Sequence, residues 1–314
     1  MRNDFVSETL EEMKKNLNIV FLTGDLGFNA LEPIKAKFPD RFYNVGIAES
    51  NMVGMACGLA HEGKKVICYS IAPFIALRAY EQIRLDVCYD NLDIKLIGAG
   101  GGFNYSAHGV THHTLEDIAA LTALPNMCVA NPAHSFEAKE VTKALLKAKN
   151  PCYVRLGKNP PFPFPTPASL PFGKAYVVKE GKEILLFSTG NLLERTLKIA
   201  ELLSQHLNKE IGVVSIPWIK PLDLALVEEK IEAASAIFTV EEHSLYGGLG
   251  SLIGKLIAEK IPEKKIFQAF GIQDVFHKEV GSRDYLLDVA GLAPEAVAKK
   301  IQKKLLDCNA TCRT

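Results

Sequence analysis

The sequence predicts an α/β protein built from two doubly wound, mainly parallel-sheet domains. Short apolar runs alternate with stretches of helical periodicity along most of the 314 residues. A proline-rich segment, residues 158–178, interrupts this alternation, which then resumes in the same form. Strands that alternate with helices are typical of parallel sheets covered by helices. The interruption therefore separates two such domains, 1–157 and 179–314.

The first domain begins with an amphipathic helix over 4–17, in which apolar residues recur near helical spacing. The predicted strands are 18–23, 42–45, 65–69, 94–98, 127–130 and 152–156, and the further helices are 30–38, 50–61, 75–89, 115–124 and 132–148. Thr114 is expected to cap the helix that follows it, and Pro132 is expected in a first helical turn.

The second domain repeats the pattern in a smaller form. Its predicted strands are 183–188, 211–216, 236–240 and 265–269, and its predicted helices are 191–207, 222–232, 248–260 and 294–306. In the segment before it, closely spaced prolines can continue neither a helix nor a central strand, which predicts a semi-rigid linker. A polar loop, residues 241–250, is the unusual feature of this domain.

The composition excludes several classes of function. With a net charge of zero and 48% hydrophobic residues, the chain is expected to form soluble domains without a nucleic-acid or membrane partner. No apolar run approaches the ~20 residues of a membrane span, and the N-terminal segment lacks a signal-peptide core. The chain is therefore expected to be cytoplasmic.

The cysteines suggest a reducing compartment. Five of them lie in apolar runs and are expected to be reduced core residues: Cys57, Cys68, Cys88, Cys128 and Cys152. Cys308 and Cys312 lie in a polar tail, and no further metal ligands lie near them. We therefore predict neither a disulfide framework nor a metal site.

The segment 43–60 places one acidic residue, Glu49, where a predicted strand leads into a helix. Small residues follow it at 54, 56, 58 and 60, and they allow backbone or a ligand to approach closely. The carboxyl end of a strand beside a helix is where open α/β sheets bind ligands. An ordinary exposed glutamate at a helix start, favoured by the helix dipole, explains the same residue equally well.

Glycines at 98 and 100–102 precede a histidine-rich segment, residues 108–113. The glycines complete neither a dinucleotide-binding fingerprint nor a Walker sequence, so they predict a mobile loop. His108, His112 and His113 could ligate a metal, but no carboxylate or cysteine spacing supports such a site. A loop histidine is more often a hydrogen-bonding group and proton shuttle, so we expect at least one to be catalytic or substrate-facing.

Two further side chains have open roles. Phe74 enters a predicted helix from a loop, where it serves either core packing or aromatic stacking on a ligand. Arg155, at the end of a strand just before the linker, is placed either to bind an anion or to form a surface ion pair. Spacing alone does not separate these alternatives.

Longer motifs resemble the C-terminal subunit of split transketolases, and the resemblance covers essentially the whole chain. The matching segments are 23–26, 38–52, 78–84, 109–117, 123–127, 153–157, 219–223 and 240–243. In these enzymes one chain carries the diphosphate-binding domain, and another carries the pyrimidine-binding domain and the C-terminal domain. The resemblance thus implies a pyrimidine-binding domain at 1–157 and a transketolase C-terminal domain at 179–314.

The resemblance implies a transketolase subunit that transfers a two-carbon ketol unit from a ketose or ketose phosphate to an aldose acceptor. Thiamin diphosphate is the implied cofactor, with Mg²⁺ ligated by the partner chain. That partner is the N-terminal transketolase subunit, in a heterotetramer of two copies of each chain. Gly24, Asp25 and Asn51 only partly match the metal-binding Gly-Asp-Gly segment of thiamin-diphosphate enzymes, because Leu26 replaces the second glycine. We therefore expect no metal site at Asp25.

The resemblance also assigns roles to single residues. Glu49 matches the glutamate that activates the cofactor through its aminopyrimidine, and Phe74 matches the aromatic residue that stacks on that ring. His112 matches the histidine that faces the donor sugar, and Arg155 matches the arginine that holds an acceptor phosphate, for which a guanidinium is well suited. The further candidates for the cofactor are Asp25, Ile71 and Leu77, and those for the substrate are His108, Asn29 and Arg78.

Several positions depart from the family pattern. His108 stands where the family usually has an aspartate, Gly100 where a phosphate-contacting histidine is common, and Asn29 where a serine helps to bind phosphate. Ile71 and Leu77 replace aromatic residues of the pocket wall. Ketol transfer is thus expected, while the donor and acceptor sugars stay open.

Two other functions fit the same layout. A beta subunit of a 2-oxo-acid dehydrogenase, or another synthase of the superfamily, would share both domains, although residues 78–80 and 111–113 favour a transketolase. A non-catalytic scaffold subunit would explain the missing phosphate contacts. The retention of Glu49, Phe74 and His112 argues against a scaffold.

Overall fold

The computed structural model describes residues 1–158, 162–261 and 265–311, of which 309–311 are described by their backbone alone. In the first part of the chain, strands alternate with helices. The strands are β1 (Ile19–Thr23), β2 (Phe42–Asn44), β3 (Lys65–Ile71), β4 (Ile94–Ala99), β5 (Cys128–Ala130) and β6 (Cys152–Leu156). The α-helices are α1 (Arg2–Lys15), α2 (Glu32–Lys37), α3 (Glu49–His61), α4 (Tyr80–Gln82), α5 (Asp117–Thr122) and α6 (Ser135–Lys147).

The second part of the chain repeats the alternation. Its strands are β7 (Tyr176–Lys179), β8 (Ile184–Ser188), β9 (Ile211–Ser215), β10 (Trp218–Lys220), β11 (Ala236–Ser244) and β12 (Ile266–Ile272). Its α-helices are α7 (Leu193–Leu207), α8 (Leu224–Ala233), α9 (Leu249–Lys260), α10 (Arg283–Val289) and α11 (Pro294–Thr311).

Two sheets flanked by helices confirm the predicted α/β class. The first sheet has seven strands in the order β10-β5-β6-β4-β3-β1-β2, and the second has five in the order β12-β11-β8-β9-β7. The pairs β10–β5 and β7–β9 at the sheet edges are antiparallel, and the other strand pairs are parallel. Strands β1, β4 and β6 are buried along their whole length, as expected where helices cover both faces of a parallel sheet.

The order of the strands places a crevice at the carboxyl ends of β1 and β3. From β1 the chain moves outward to β2, and it then returns to β3 on the other side of β1. At such a reversal the following segments diverge to opposite sides of the sheet, which opens a crevice where ligands bind in α/β proteins. Gly24 follows β1, and Ser70 lies near the end of β3, so both residues border this crevice.

The two domains share a sheet edge. Strand β10 lies in the second part of the chain, but it pairs with β5 of the first sheet. Trp218 of β10 is buried and packs against Phe172, with ring centroids 4.4 Å apart. Lys220 donates to the backbone oxygens of Thr122 and Leu124 at 2.9 and 2.5 Å. The second domain thus completes the first sheet, which sets the orientation of the two domains.

Several local predictions are wrong. Helix α5 begins at Asp117, because the backbone of Thr114, its predicted cap, instead pairs with Gly102. Helix α6 begins at Ser135, so Pro132 lies outside its first turn. The predicted helix 75–89 is interrupted, since π-helical segments flank α4 on both sides.

Among the described residues, two strands and one α-helix were not predicted, namely β7, β10 and α10. Strand β7 begins at Tyr176, so the second sheet starts inside the segment 158–178 that was predicted as a linker. Residues 159–161 of that segment lie outside the described residues. Strand β10 has only three residues, which is too short to show an alternating pattern.

The described cysteines are free, and the five predicted core cysteines are all buried. This confirms the prediction for those five, while Cys312 lies outside the described residues. In the part of the chain that the structure describes, no helix combines the length and the apolar character needed to cross a membrane.

Candidate active site

Glu49 is the first residue of α3 and borders the crevice at the carboxyl edge of the first sheet. Its side chain is buried, with 3% exposure, so the interpretation as an ordinary exposed helix start is wrong. Its Oε1 accepts a hydrogen bond from the hydroxyl of Ser70 at 2.9 Å, and its Oε2 lies 3.5 Å from Nη1 of Arg78. A buried carboxylate needs such partners because water no longer solvates it.

Gly24 keeps space open beside this carboxylate. A Cβ at this position would lie 3.6 Å from Oε1 of Glu49 and 3.3 Å from the backbone oxygen of Gly46. The next residue, Asp25, accepts from the side-chain amide of Asn44 at 2.8 Å and donates its N–H back to that side chain at 2.9 Å. Asp25 therefore ties the loop after β1 to the end of β2, and its described contacts do not include Glu49.

Phe74 and Arg78 begin and end a π-helical segment, and their side chains stack. The guanidinium carbon of Arg78 lies 3.8 Å from the centroid of the Phe74 ring, which is a cation–π contact. Because the same guanidinium pairs with Glu49, Arg78 joins the carboxylate to the aromatic ring. Half-buried Ile71 at the end of β3 and exposed Leu77 of the π-helical segment lie nearby in the chain.

His112 packs against Phe74, with ring centroids 5.1 Å apart. His108 lies 4.8 Å from His112, and the Tyr105 ring lies 5.7 and 5.9 Å from these two rings. Burial lowers the pKa of His112, and electrostatic interactions with His108 and Arg78 lower that pKa further. The His112 imidazole is therefore uncharged at neutral pH, where it can both donate and accept a hydrogen bond.

His113 belongs to a different environment. It packs edge-on against Phe103, with ring centroids 4.9 Å apart, and burial lowers its pKa. It lines a cleft of about 370 Å³ between the two domains, together with Leu77, Thr111 and Phe276. Thr111 also contacts the next histidine, since its Oγ1 lies 2.9 Å from Nδ1 of His112, so the cleft reaches a direct neighbour of His112.

Arg155 is buried at the domain interface. Its Nη2 donates to the backbone oxygens of Thr114 and Glu242 at 2.5 and 2.9 Å, and its Nε lies 3.5 Å from the carboxylate of Asp117. The surface ion pair considered for Arg155 is therefore wrong. Its role in binding an anion stays a prediction.

Lys158 is a basic residue of this region that the sequence analysis missed. Its Nζ lies 3.3 Å from the centroid of the Tyr105 ring. Burial lowers the pKa of Lys158, and the positive charge of Arg2 lowers it further. Lys158 lies just beyond the motif at 153–157, so no pattern selected it.

Asn29, a predicted substrate contact, lies in an exposed loop, where its backbone oxygen accepts from Arg2 at 3.4 Å.

Five predicted site residues form one chain of contacts: Glu49, Arg78, Phe74, His112 and His108. The described contacts of three others lie elsewhere: Asp25, Asn29 and Arg155. Among the described residues, no group of three or more side chains is arranged to ligate a metal ion. A carboxylate, an aromatic face and an uncharged imidazole in contact are suited to hold a flat ring that carries hydrogen-bonding groups on its edge.

The fold and the site define a two-domain α/β protein with a ligand site at the carboxyl edge of its first sheet. Family models match both domains. The transketolase pyrimidine-binding domain matches residues 1–160, and the transketolase C-terminal domain matches residues 173–297. The chain therefore belongs to the transketolase family, as the motifs predicted.

Similar proteins agree with this assignment. A chain from Methanocaldococcus jannaschii, provisionally named transketolase C-terminal section, is 34% identical over 97% of this chain and 96% of its own length. One of the subunits of apulose-4-phosphate transketolase from Actinobacillus succinogenes is 33% identical over 82% of this chain and 84% of its own length. A solved structure titled split gene transketolase, inactive beta4 tetramer, is 32% identical, with a TM-score of 0.87 over 97% of this chain and 98% of that chain.

Proposed function

We propose that this chain is the pyrimidine-binding subunit of a two-chain transketolase. The assembled enzyme transfers a two-carbon ketol unit from a ketose or ketose phosphate to an aldose acceptor. Thiamin diphosphate is the proposed cofactor, and the partner chain is proposed to ligate its Mg²⁺. The observation that carries the proposal is the buried carboxylate of Glu49, which is linked through Arg78 to the Phe74 ring.

The residues around Glu49 fit an aminopyrimidine ring. Such a ring is flat and has nitrogens on its edge, so the Phe74 face can stack on it while the Glu49 carboxylate bonds its edge. The hydrogen bond from Ser70 occupies Oε1 of Glu49, so Oε2, which faces Arg78, is the oxygen proposed to bond the ligand. Gly24 places no side chain beside Oε1 of Glu49. When bound, the cofactor supplies the carbanion stabilisation that ketol transfer needs.

Arg78 contacts both groups that this proposal assigns to the pyrimidine. Its side chain is 53% exposed, and long basic side chains can turn their charged ends toward solvent. We expect Arg78 to move off the Phe74 face when the cofactor binds. From there its guanidinium can reach the cleft that Leu77 lines, which agrees with the predicted substrate-binding role of Arg78.

The histidines and Lys158 are the proposed substrate contacts. Uncharged His112 can donate to or accept from a hydroxyl or carbonyl oxygen of the donor sugar. His108, which replaces the usual aspartate, can do the same. For an anionic group of the substrate, Lys158 is better placed than Arg155, because Arg155 is engaged between the domains whereas Lys158 contacts Tyr105 beside the histidines.

A partner chain is part of the proposal. The relative from Actinobacillus succinogenes is named as one subunit of its enzyme, and the similar solved structure is titled an inactive beta4 tetramer. In addition, Leu26 interrupts the metal-binding segment that thiamin-diphosphate enzymes use. We infer that an N-terminal transketolase subunit supplies the diphosphate-binding domain, and that two copies of each chain form the active heterotetramer.

The test is ketol transfer by this chain, by an N-terminal transketolase subunit from the same organism, and by their mixture. We expect activity only in the mixture, in the presence of thiamin diphosphate and Mg²⁺. Full activity from this chain alone would contradict the divided site. Calorimetric titration of the mixture with thiamin diphosphate tests the scaffold alternative. If the assembled complex does not bind the cofactor, the result supports a scaffold. Decarboxylation of pyruvate without transfer to an aldose would instead support the 2-oxo-acid dehydrogenase alternative.

A further inference from the structure

Residues 102–114 form a loop that we call the histidine loop. Its two ends, Gly102 and Thr114, are hydrogen-bonded to each other and form the base of the loop. The N–H of Gly102 donates to the backbone oxygen of Thr114 at 2.9 Å, and the N–H of Thr114 donates back to Gly102 at 3.1 Å. Between these two residues the chain leaves the sheet edge and carries Tyr105, His108 and His112. Because the two hydrogen bonds join the loop ends, the position of this base determines the positions of His108 and His112.

The second domain holds this base directly. The N–H of Phe103 donates to Oε1 of Glu242 at 2.8 Å. On the other side of the base, Ser244 donates its N–H to the backbone oxygen of Leu115 at 2.8 Å. Arg155 donates to the backbone oxygens of both Thr114 and Glu242, so it joins the base to β11.

Glu242 is the central group of these contacts. It is 4% exposed, and its carboxylate also pairs with Arg283, whose Nη2 and Nε lie 2.6 and 3.1 Å away. A Cβ at Gly102 would lie 2.4 Å from the carboxyl carbon of Glu242. Glycine is therefore required at 102, both for this close approach and because its φ is +68°.

We propose that the Glu242–Arg283 pair positions the histidine loop, so that the C-terminal domain controls substrate contact without touching the substrate. This inference rests on the proposed function, since it assigns His108 and His112 to the substrate. Arg283 holds the carboxylate in place, and the carboxylate holds the N–H of Phe103. Loss of either charge loosens the hold of the second domain on the base of the loop and shifts both imidazoles. Glu49 and Ser70 belong to α3 and β3 instead, so we expect the contact of the Glu49 carboxylate with the pyrimidine to be unaffected.

The first test measures the loop itself by hydrogen–deuterium exchange of the full chain. The variants are Arg283→Met and Glu242→Gln, and the control is Glu228→Gln, which breaks an exposed pair with Lys260 inside the second domain. We expect peptides over 102–114 to exchange about tenfold faster in both variants, because a local opening becomes easier. Peptides of α3 and β3, and all peptides of the control, should keep their native rates.

Unchanged exchange over 102–114 in both variants would overturn the proposal. If Arg283→Met accelerates exchange throughout the second domain, the result for Glu242→Gln decides between a positioning role and a general loss of stability, because this substitution preserves the volume of the side chain. An increase confined to the loop then supports the positioning role, and a general increase overturns it.

The second test uses the complex of both subunits. We expect kcat/KM for the donor sugar to fall about 10- to 100-fold in Glu242→Gln, as for displaced substrate-contacting groups. The affinity for thiamin diphosphate should stay within about twofold of native, since a tenfold change would require about 1.4 kcal/mol. A comparable loss of cofactor affinity would contradict a role confined to the loop. If the native complex shows no ketol transfer, the proposed function fails, and the exchange experiment still decides whether the pair holds the loop.

Discussion

Two buried glutamates, one in each domain, show that burial serves different purposes in this molecule. Glu49 is 3% exposed and Glu242 is 4% exposed, and each faces an arginine. Arg78 is 53% exposed and lies 3.5 Å from Glu49, whereas Arg283 is 18% exposed and lies 2.6 Å from Glu242. Glu242 also accepts from the N–H of Phe103, so its partners are protein groups in a closed arrangement. A buried carboxylate whose charged partner is loosely held is the one suited to receive a ligand.

The largest expected effect concerns Glu49, the glutamate that is proposed to contact the cofactor. Glu49→Gln keeps the size of the side chain but removes the carboxylate, so we expect ketol transfer by the assembled enzyme to fall roughly 100-fold or more. Turnover and assembly are measured side by side. The matched control is Glu62→Gln, an exposed glutamate just after the same helix, which should leave turnover unchanged. Near-native turnover of Glu49→Gln would remove the distinction between the two carboxylates.

The second prediction concerns stability at the structural member of the pair. Glu242→Ala leaves Arg283 and the N–H of Phe103 without their partner, which is expected to cost about 3 kcal/mol of unfolding free energy. Glu49→Ala should cost less, because the half-exposed Arg78 can be solvated when its partner is lost. Denaturant unfolding of the full chain measures both variants. Equal losses of unfolding free energy in the two variants would show that the Glu49–Arg78 and Glu242–Arg283 pairs contribute equally to stability.

A neighbour of Glu242 provides a test by pH. Burial raises the pKa of Glu241 to about 7, against 4.5 for the free side chain, although the N–H groups of Leu249 and Gly250 oppose the shift. Its folded-state pKa lies above its unfolded value, so the stability it contributes is complete below pH 4.5 and is lost as pH rises through 7. Relative to Glu241→Gln, the native chain should lose on the order of 3 kcal/mol between these limits.

Unfolding free energies at pH 5 and pH 8 check this prediction. A constant difference between the native chain and Glu241→Gln would show that Glu241 does not take up a proton on folding. Glu229→Gln on α8 is a suitable control, since that side chain is exposed and should show no such trend.

The smallest expected effect is on the pH dependence of catalysis. The electrostatic interaction with His108 is one cause of the lowered pKa of His112, after burial. In His108→Asn that pKa should rise, and the acid limb of the kcat/KM profile should move to higher pH. His61→Asn, at an exposed histidine that pairs with Asp90, is the control and should leave the limb in place. A limb that stays fixed in His108→Asn would mean that another group governs it.

Strong local patterns predicted much of the fold. Strand β6 was predicted with its observed bounds, Cys152–Leu156, because a short apolar run beside turn residues allows few interpretations. Strand β10 could not be found in this way, since it exists through pairing with β5 across the domain boundary. The same reasoning applies to Thr114, whose type favours a helix cap but whose backbone pairs with Gly102 instead. In both cases a distant partner overrides the local preference.

The sequence by itself determined the family, the order of the two domains and the candidate set of Glu49, Phe74 and His112, because these depend on residue types at fixed spacing. The tertiary structure decided the surroundings of two basic residues near the end of β6. Arg155 lies within the strand, where the second domain covers it, and Lys158 lies just past the strand, where its chain can reach Tyr105. Residue type favoured the arginine, but only the packing of the second domain shows that Arg155 is engaged between the domains while Lys158 contacts Tyr105 beside the histidines.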